Sequence, residues 1–150
     1  LKEIEKLRTN KNVEELIIWE INSAGILIKI AYEVLSGEIA AKNKNYNAAI
    51  AHLKKAVELE YTLRYDEPPT WFYPCSQNLG AVLIEAGKYA EAEKVYLKNL
   101  EDVPENGWSL FGLHQSVLKQ NRIDEAGEIQ KRFNEAWKNA DVILTSSRIM

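Results

Sequence analysis

The chain has 150 residues, 46% apolar and 27% charged, a size and balance that allow one domain with a real core and exclude a disordered chain. Its net charge of −3 comes from 19 basic and 22 acidic side chains, and Lys54-Lys55 and Lys131-Arg132 stand among carboxylates, which argues against the basic face of a nucleic-acid binder. The longest apolar patch, Ala24 to Ile28, stops at Lys29, well short of the roughly 18 residues that cross a bilayer.

The chain opens at Leu1 without a charged leader and reads as a piece of a longer protein. Leu1, Ile4 and Leu7 have a helical spacing, broken at Asn10-Lys11-Asn12. Val13 to Ile21 is apolar around Ile17, Ile18 and Trp19. Asn22 and Ser23 are placed to cap a helix expected from Ala24 to about Asn43. The β-branched residues of Gly25 to Ile30 also suit a strand, but no pairing partner lies nearby, so helix is preferred. Asn43-Lys44-Asn45 is a turn, and Tyr46 to about Leu63 reads as the next helix, with Ala49, Leu53 and Ala56 on one side. The tandem prolines of Tyr65-Asp66-Glu67-Pro68-Pro69-Thr70 impose a loop. Pro74 suits a first helical turn, and the helix it opens runs to about Ala86 and stops at Gly87. Tyr89 to Val103 is a helix ended by Pro104, Trp108 to Gln120 another, and Ile123 to about Asn139 the last long one. Asp141 to Met150 is a polar tail around Thr145-Ser146-Ser147.

A period of 34 residues runs through the second half: Leu79 recurs as Leu113, Tyr89 as Ile123 and Ala92 as Ala126. That length suits a helix–turn–helix unit that cannot bury its apolar face alone and must stack on copies of itself. Upstream, Tyr46 and Ala49 precede Tyr89 and Ala92 by 43 residues, one period with about nine residues inserted.

Residues 73–106 resemble a tetratricopeptide repeat. Leu79-Gly80 followed by Leu83 matches the first-helix signature, Ala92 followed by Tyr96 the second, and Pro104 the terminal proline. Gly80 and Ala92 would let two backbones approach while Leu79, Leu83, Tyr89 and Tyr96 fill the layers. Residues 107–140 resemble a second copy through Leu110, Leu113, Val117 and Ala126, but His114 stands where Gly80 stood and Gln130 where Tyr96 stood. The helices there are expected either to open slightly or to shift register onto Gly112. Residues 30–63 resemble a third copy with Gly37 at the close-contact position, although Glu33 and Ser36 replace apolar residues. More loosely, the segments 65–74, 105–108 and 140–142 look like the C-terminal end of large bacterial multi-repeat proteins. That resemblance implies further repeats upstream of Leu1 and carries no assigned chemistry.

The resemblance implies an all-α fold, a tetratricopeptide-like superhelical array of antiparallel helix hairpins forming one domain over 1–150. Residues 1–29 would cap or continue the array, 30–63, 73–106 and 107–140 would be repeats, 64–72 an inserted loop and 141–150 a tail. The first helices of such arrays line a concave groove, here Glu38 and Lys42, then Gln77, Ala81 and Glu85, then Trp108, Phe111, Gln115 and Lys119. Trp108 and Phe111 with polar neighbours have the composition of a binding hot spot, or else are covered by the tail or the insert. The carboxylate clamp used by some family members is rejected, because Val34 and Glu38 occupy its positions.

The insert gathers Tyr61, Tyr65, Asp66, Glu67, Trp71, Phe72 and Tyr73. Asp66, Glu67, Trp71 and Tyr73 either form a ligand pocket or plug the repeat interface, with Trp71 and Tyr73 in the core and the acids in water. His52 and His114 share no local partner, and no metal site or cofactor is expected. Cys75 reads as a buried small hydrophobe rather than a nucleophile. As the only cysteine it cannot form an internal disulfide, so folding needs no oxidising compartment, which leans slightly toward the cytoplasm.

The expected function is a non-catalytic interaction module binding a protein, as a peptide or partner helix, in the groove. Two alternatives stand beside it. One is a small-ligand or enzymatic site using Asp66, Glu67, Tyr73 and Arg148. The other is a structural segment whose exposed ends, around Leu1, Ile4, Leu7 and Ile17 to Trp19, stack on absent repeats or on a second copy.

Overall fold

The computed structural model describes residues 1–148, so the last two residues of the expected tail, Ile149 and Met150, lie outside the described residues. The described chain is mostly helical, as the sequence leads one to expect. Among the described residues there are eight helices: α1 (Lys2–Arg8), α2 (Lys11–Glu14), α3 (Ala24–Lys42), α4 (Tyr46–Glu60), α5 (Cys75–Glu85), α6 (Tyr89–Asp102), α7 (Gly107–Leu118) and α8 (Ile123–Trp137). No helix among them is long and apolar enough to cross a membrane. The chain, read from sequence as one domain over 1–150, groups into two compact units, Leu1–Cys75 and Ser76–Met150.

In the first unit the apolar stretch before α3 folds as a small antiparallel ladder, β1 (Ile17–Ile18) with β2 (Asn22–Ser23). Its turn holds Trp19 and Glu20 at φ of 50° and 62°. Trp19, Glu20 and Ile21 connect the paired Ile18 and Asn22, and two successive left-handed residues suit the twist of a tight hairpin, a role usually left to Asn and Gly. The sequence offers neither residue there, which is why the ladder is not legible in it. Ser23 caps α3 as expected, its Oγ accepting the Ile26 N–H at 3.2 Å. Asn22 has a different part: its side chain donates to the Arg64 carbonyl (3.0 Å) and Thr70 Oγ1 (3.0 Å) and accepts the Arg64 N–H (2.9 Å). One buried amide thus pins both ends of the inserted loop.

Helices α3 and α4 form a hairpin in which Gly37 lies directly against the side chain of Leu53. Ile30, Val34, Ala56 and Cys75 form a buried cluster, and Leu59, Leu63 and Trp71 pack against it. α4 ends at Glu60, three residues short of the expected Leu63, and Glu60 turns its carboxylate to the Cys75 N–H at 2.8 Å.

In the second unit α5 is buried from Ser76 through Leu83. A helix without charge until its last residue is buried all round rather than along one stripe. Helices α6, α7 and α8 pack in succession. Tyr96 of α6 is fully buried, with the hydroxyl end of its ring lodged against Gly80 of α5 and Gly112 of α7. Any Cβ at either glycine would collide with that ring. Between α6 and α7, Ser109 Oγ donates to Asn99 Oδ1 at 2.5 Å, so both buried polar groups are satisfied.

The helix endings repeat. At the α3, α5 and α7 ends a left-handed residue follows the helix: Lys44, Gly87 and Asn121. The next N–H reaches back five residues, Asn45 to Ala40, Lys88 to Leu83 and Arg122 to Val117. This double-bonded ending satisfies carbonyls that the helix leaves unpaired. The three sites carry the spacings of the sequence period, though only one of them has glycine.

Candidate functional site

The close contact inside each hairpin joins residues 16 apart. Gly37 meets Leu53, and Gly80 meets Tyr96. The third hairpin has His114 and Gln130 at the corresponding places. A glycine lets the facing tyrosine approach closely, whereas His114 brings a side chain to that place. There the surface opens into a groove of about 350 Å³, with Phe111, Phe133, Ile84 and Leu118 supplying apolar walls and His114, Gln115, Lys119 and Gln130 the polar lining.

Phe111 and Phe133 approach with ring centres 5.7 Å apart, and Phe133 stacks on Trp137 at 5.9 Å. Gln130 is oriented by donating to Asn134 Oδ1 at 2.8 Å. Burial pushes the His114 imidazole below its ordinary pKa, so it is held neutral near pH 7. A neutral imidazole beside two phenyl rings suits an apolar or hydrogen-bonding guest better than an anion.

Of the residues expected in a groove, Phe111, Gln115 and Lys119 come together here. Trp108 is half-buried and packs edge-on to Trp137 at 5.7 Å, while Trp137 covers Gly107 and donates its Nε1–H to the Val142 carbonyl at 2.7 Å. Gln77 corrects the expectation: it is 4% exposed and donates to Asn106 Oδ1 at 3.3 Å, the oxygen that also caps α7 through the Trp108 and Ser109 N–H groups. Ala81 is buried as well, because α5 has no outward face in this stretch. Glu85 accepts from Arg148 Nη2 at 2.6 Å, so Arg148 is committed to α5. On α3 of the first unit, Glu38 is half-buried and Lys42 exposed. The residues missed by sequence reasoning are Ile84, His114, Leu118, Gln130 and Phe133. Their signal was the pair of departures from the repeat, His114 and Gln130.

The insert of the first unit borders a smaller open pocket of about 200 Å³, lined in part by Glu60, Arg64, Tyr65, Asp66 and Trp71. Asp66 accepts from Thr70 Oγ1 (3.3 Å) and the Glu67 N–H (2.9 Å). Glu67 is exposed and takes the Tyr65 hydroxyl at 2.5 Å, and Tyr73 packs on Phe72 at 4.5 Å. Asp66 and Trp71 thus line the pocket, while Glu67 and Tyr73 are engaged with neighbouring loop residues.

His52 Nδ1 lies 2.6 Å from Glu33. Among the described residues no three His, Cys, Asp or Glu side chains converge to hold a metal ion. Burial, helped by the Glu60 carboxylate, pushes the Cys75 thiol well above its ordinary pKa, the reverse of an activated nucleophile. No family model matches the chain, and no curated protein matches it either.

Proposed function

We propose that this chain is a non-catalytic interaction module of tetratricopeptide type, taking a peptide or partner helix on stacked helical hairpins. The observation that carries this reading is the open apolar groove at the third hairpin, where His114 and Gln130 replace the glycine–tyrosine filling. A site of about 350 Å³ falls in the range that accommodates a few side chains of a ligand. Phe111 and Phe133 offer apolar contact, and Gln115, Lys119 and Gln130 offer hydrogen bonds that would orient the guest. The repeated helix endings and the 16-residue contacts support an array of like units.

The test is affinity capture from a lysate of the source cells with the wild-type chain, Phe111→Ala and Lys119→Glu side by side. A protein held by the wild type, lost with Phe111→Ala and weakened with Lys119→Glu is the expected result. Equal retention on all three, with native helicity by circular dichroism, contradicts the reading.

A second reading, a small-ligand site in the insert, is favoured by the placement of Asp66 beside Trp71 in one pocket. At about 200 Å³ that pocket is below the usual ligand-site range, which ranks it second. Under this reading Asp66→Asn abolishes ligand binding and leaves protein capture unchanged.

A further inference from the structure

The segment after α8 does not hang in solvent. It has neither helix nor strand over 140–148, and its buried residues are Leu144, Ser147 and Arg148, with exposed residues between 141 and 145. Ser147 shares a hydrogen bond of 2.5 Å with the Tyr96 hydroxyl. That hydroxyl sits between Gly80 and Gly112, so the glycines do more than let two helices approach. They open a window through which a residue of α6 presents its polar end at the seam of α5 and α7. One residue on, the Arg148 guanidinium is 6% exposed and donates to Glu85 Oε1 at 2.6 Å, while the Glu85 side chain keeps 37% of its surface exposed.

Burying a guanidinium is costly unless a carboxylate meets it with good geometry. Here Glu85 meets the guanidinium of Arg148. The seam therefore offers two built contacts in a fixed order, a buried hydroxyl and then a carboxylate. We propose that the α5–α7 seam is a peptide-recognition site that reads a hydroxyl side chain followed directly by arginine, and that the chain's own Ser147-Arg148 fills it at rest. This rests on the reading of the chain as an interaction module and gives the partner its chemistry: an extended segment with a Ser-Arg or Thr-Arg step. Ile84 of the apolar groove directly precedes Glu85, so an apolar residue of the same partner has a place to go.

The segment is tethered to α8 by about ten residues, which makes it an intramolecular competitor at an effective concentration in the millimolar range. A partner in trans must outcompete it, and weakening the tethered copy should strengthen binding in trans.

The experiment titrates a fluorescent peptide with the sequence of residues 140–148 into the full chain and reads anisotropy. Arg148→Ala, which disarms the resident segment, should bind the peptide at least tenfold more tightly than wild type. Adding Glu85→Ala should remove that binding, as should replacing the peptide's arginine by alanine. Glu85→Arg should instead bind a peptide ending in glutamate. A folded Arg148→Ala chain that ignores the peptide overturns the proposal. Should Arg148→Ala not fold, the wild-type chain with millimolar peptide answers the question by NMR. Shifts of the Gly80, Glu85 and Gly112 amides support the proposal, and unmoved amides overturn it. If Phe111→Ala still loses its captured protein while no peptide binds the seam, this inference fails and the interaction-module reading stands. If neither effect occurs, both fail.

Discussion

The second and third hairpins share a period, a turn and a buried apolar row, yet one is filled and the other open. In the second, Tyr96 is wedged between Gly80 and Gly112 and is fully buried. In the third, Gln130 and His114 stand at the corresponding sequence positions, and both line a groove. Two residues separate a structural contact from a candidate binding surface. The lesson is that, in a repeating fold, the places where the repeat departs from itself are the places to look for function.

The largest effect comes from breaking the filled hairpin. Tyr96→Ala removes a fully buried ring that both glycines are shaped to receive, and should cost about 3–5 kcal/mol of unfolding free energy in urea titrations. Gly112→Ala attacks the same contact from the other side, forcing the ring to move, and should cost about 1–3 kcal/mol. If either variant unfolds at the wild-type midpoint, the wedge is not what holds these helices together.

Trp108→Ala probes the edge of the open hairpin. Its packing on Trp137 predicts a loss of about 2 kcal/mol in stability, from lost burial and an aromatic pair. Of the two readings of the sequence, a binding hot spot expects lost binding with helicity intact, and coverage by the tail or the insert expects lost stability. A thermal melt beside the capture assay separates the two.

The smallest effect is the pH dependence of the open hairpin. His114 has its pKa lowered by burial, so the native state resists its protonation while the unfolded chain does not. Its contribution leaves stability unchanged above the ordinary histidine pKa of about 6.5 and erodes stability as pH falls below it. His114→Gln should therefore lose less melting temperature than wild type between pH 7.5 and 5. An equal loss in both chains places the titration elsewhere.

Much of the fold was legible because local chemistry and tertiary packing agree. Ser23 caps α3, Gly87 adopts φ of 74° after α5, and the apolar positions Leu79, Leu110, Leu113 and Ala126 are all buried. The left-handed turns at Lys44 and Asn121 follow the period without the glycine that would have announced them. The β-hairpin was hidden for the same reason, with Trp19 and Glu20 at its turn. Gln77 was misplaced because its hydrogen bond to Asn106 joins residues 29 apart, which no local spacing reveals. The groove was half legible: Phe111, Gln115 and Lys119 follow from helical register, whereas Phe133 and Gln130 enter from α8 only through packing. Arg148 was read from sequence as a candidate partner of Asp66, Glu67 and Tyr73, but its ion pair with Glu85 joins residues 63 apart, which no local spacing reveals.

The most direct measurement transplants the filling. Gln130→Tyr, combined with His114→Gly, rebuilds the glycine–tyrosine contact of the second hairpin within the third. The account predicts a chain that keeps its helicity, melts at or above the temperature of His114→Gly alone, and loses at least tenfold in capture of the wild-type partner. Undiminished capture by a folded double variant would show that the groove is not where the partner binds.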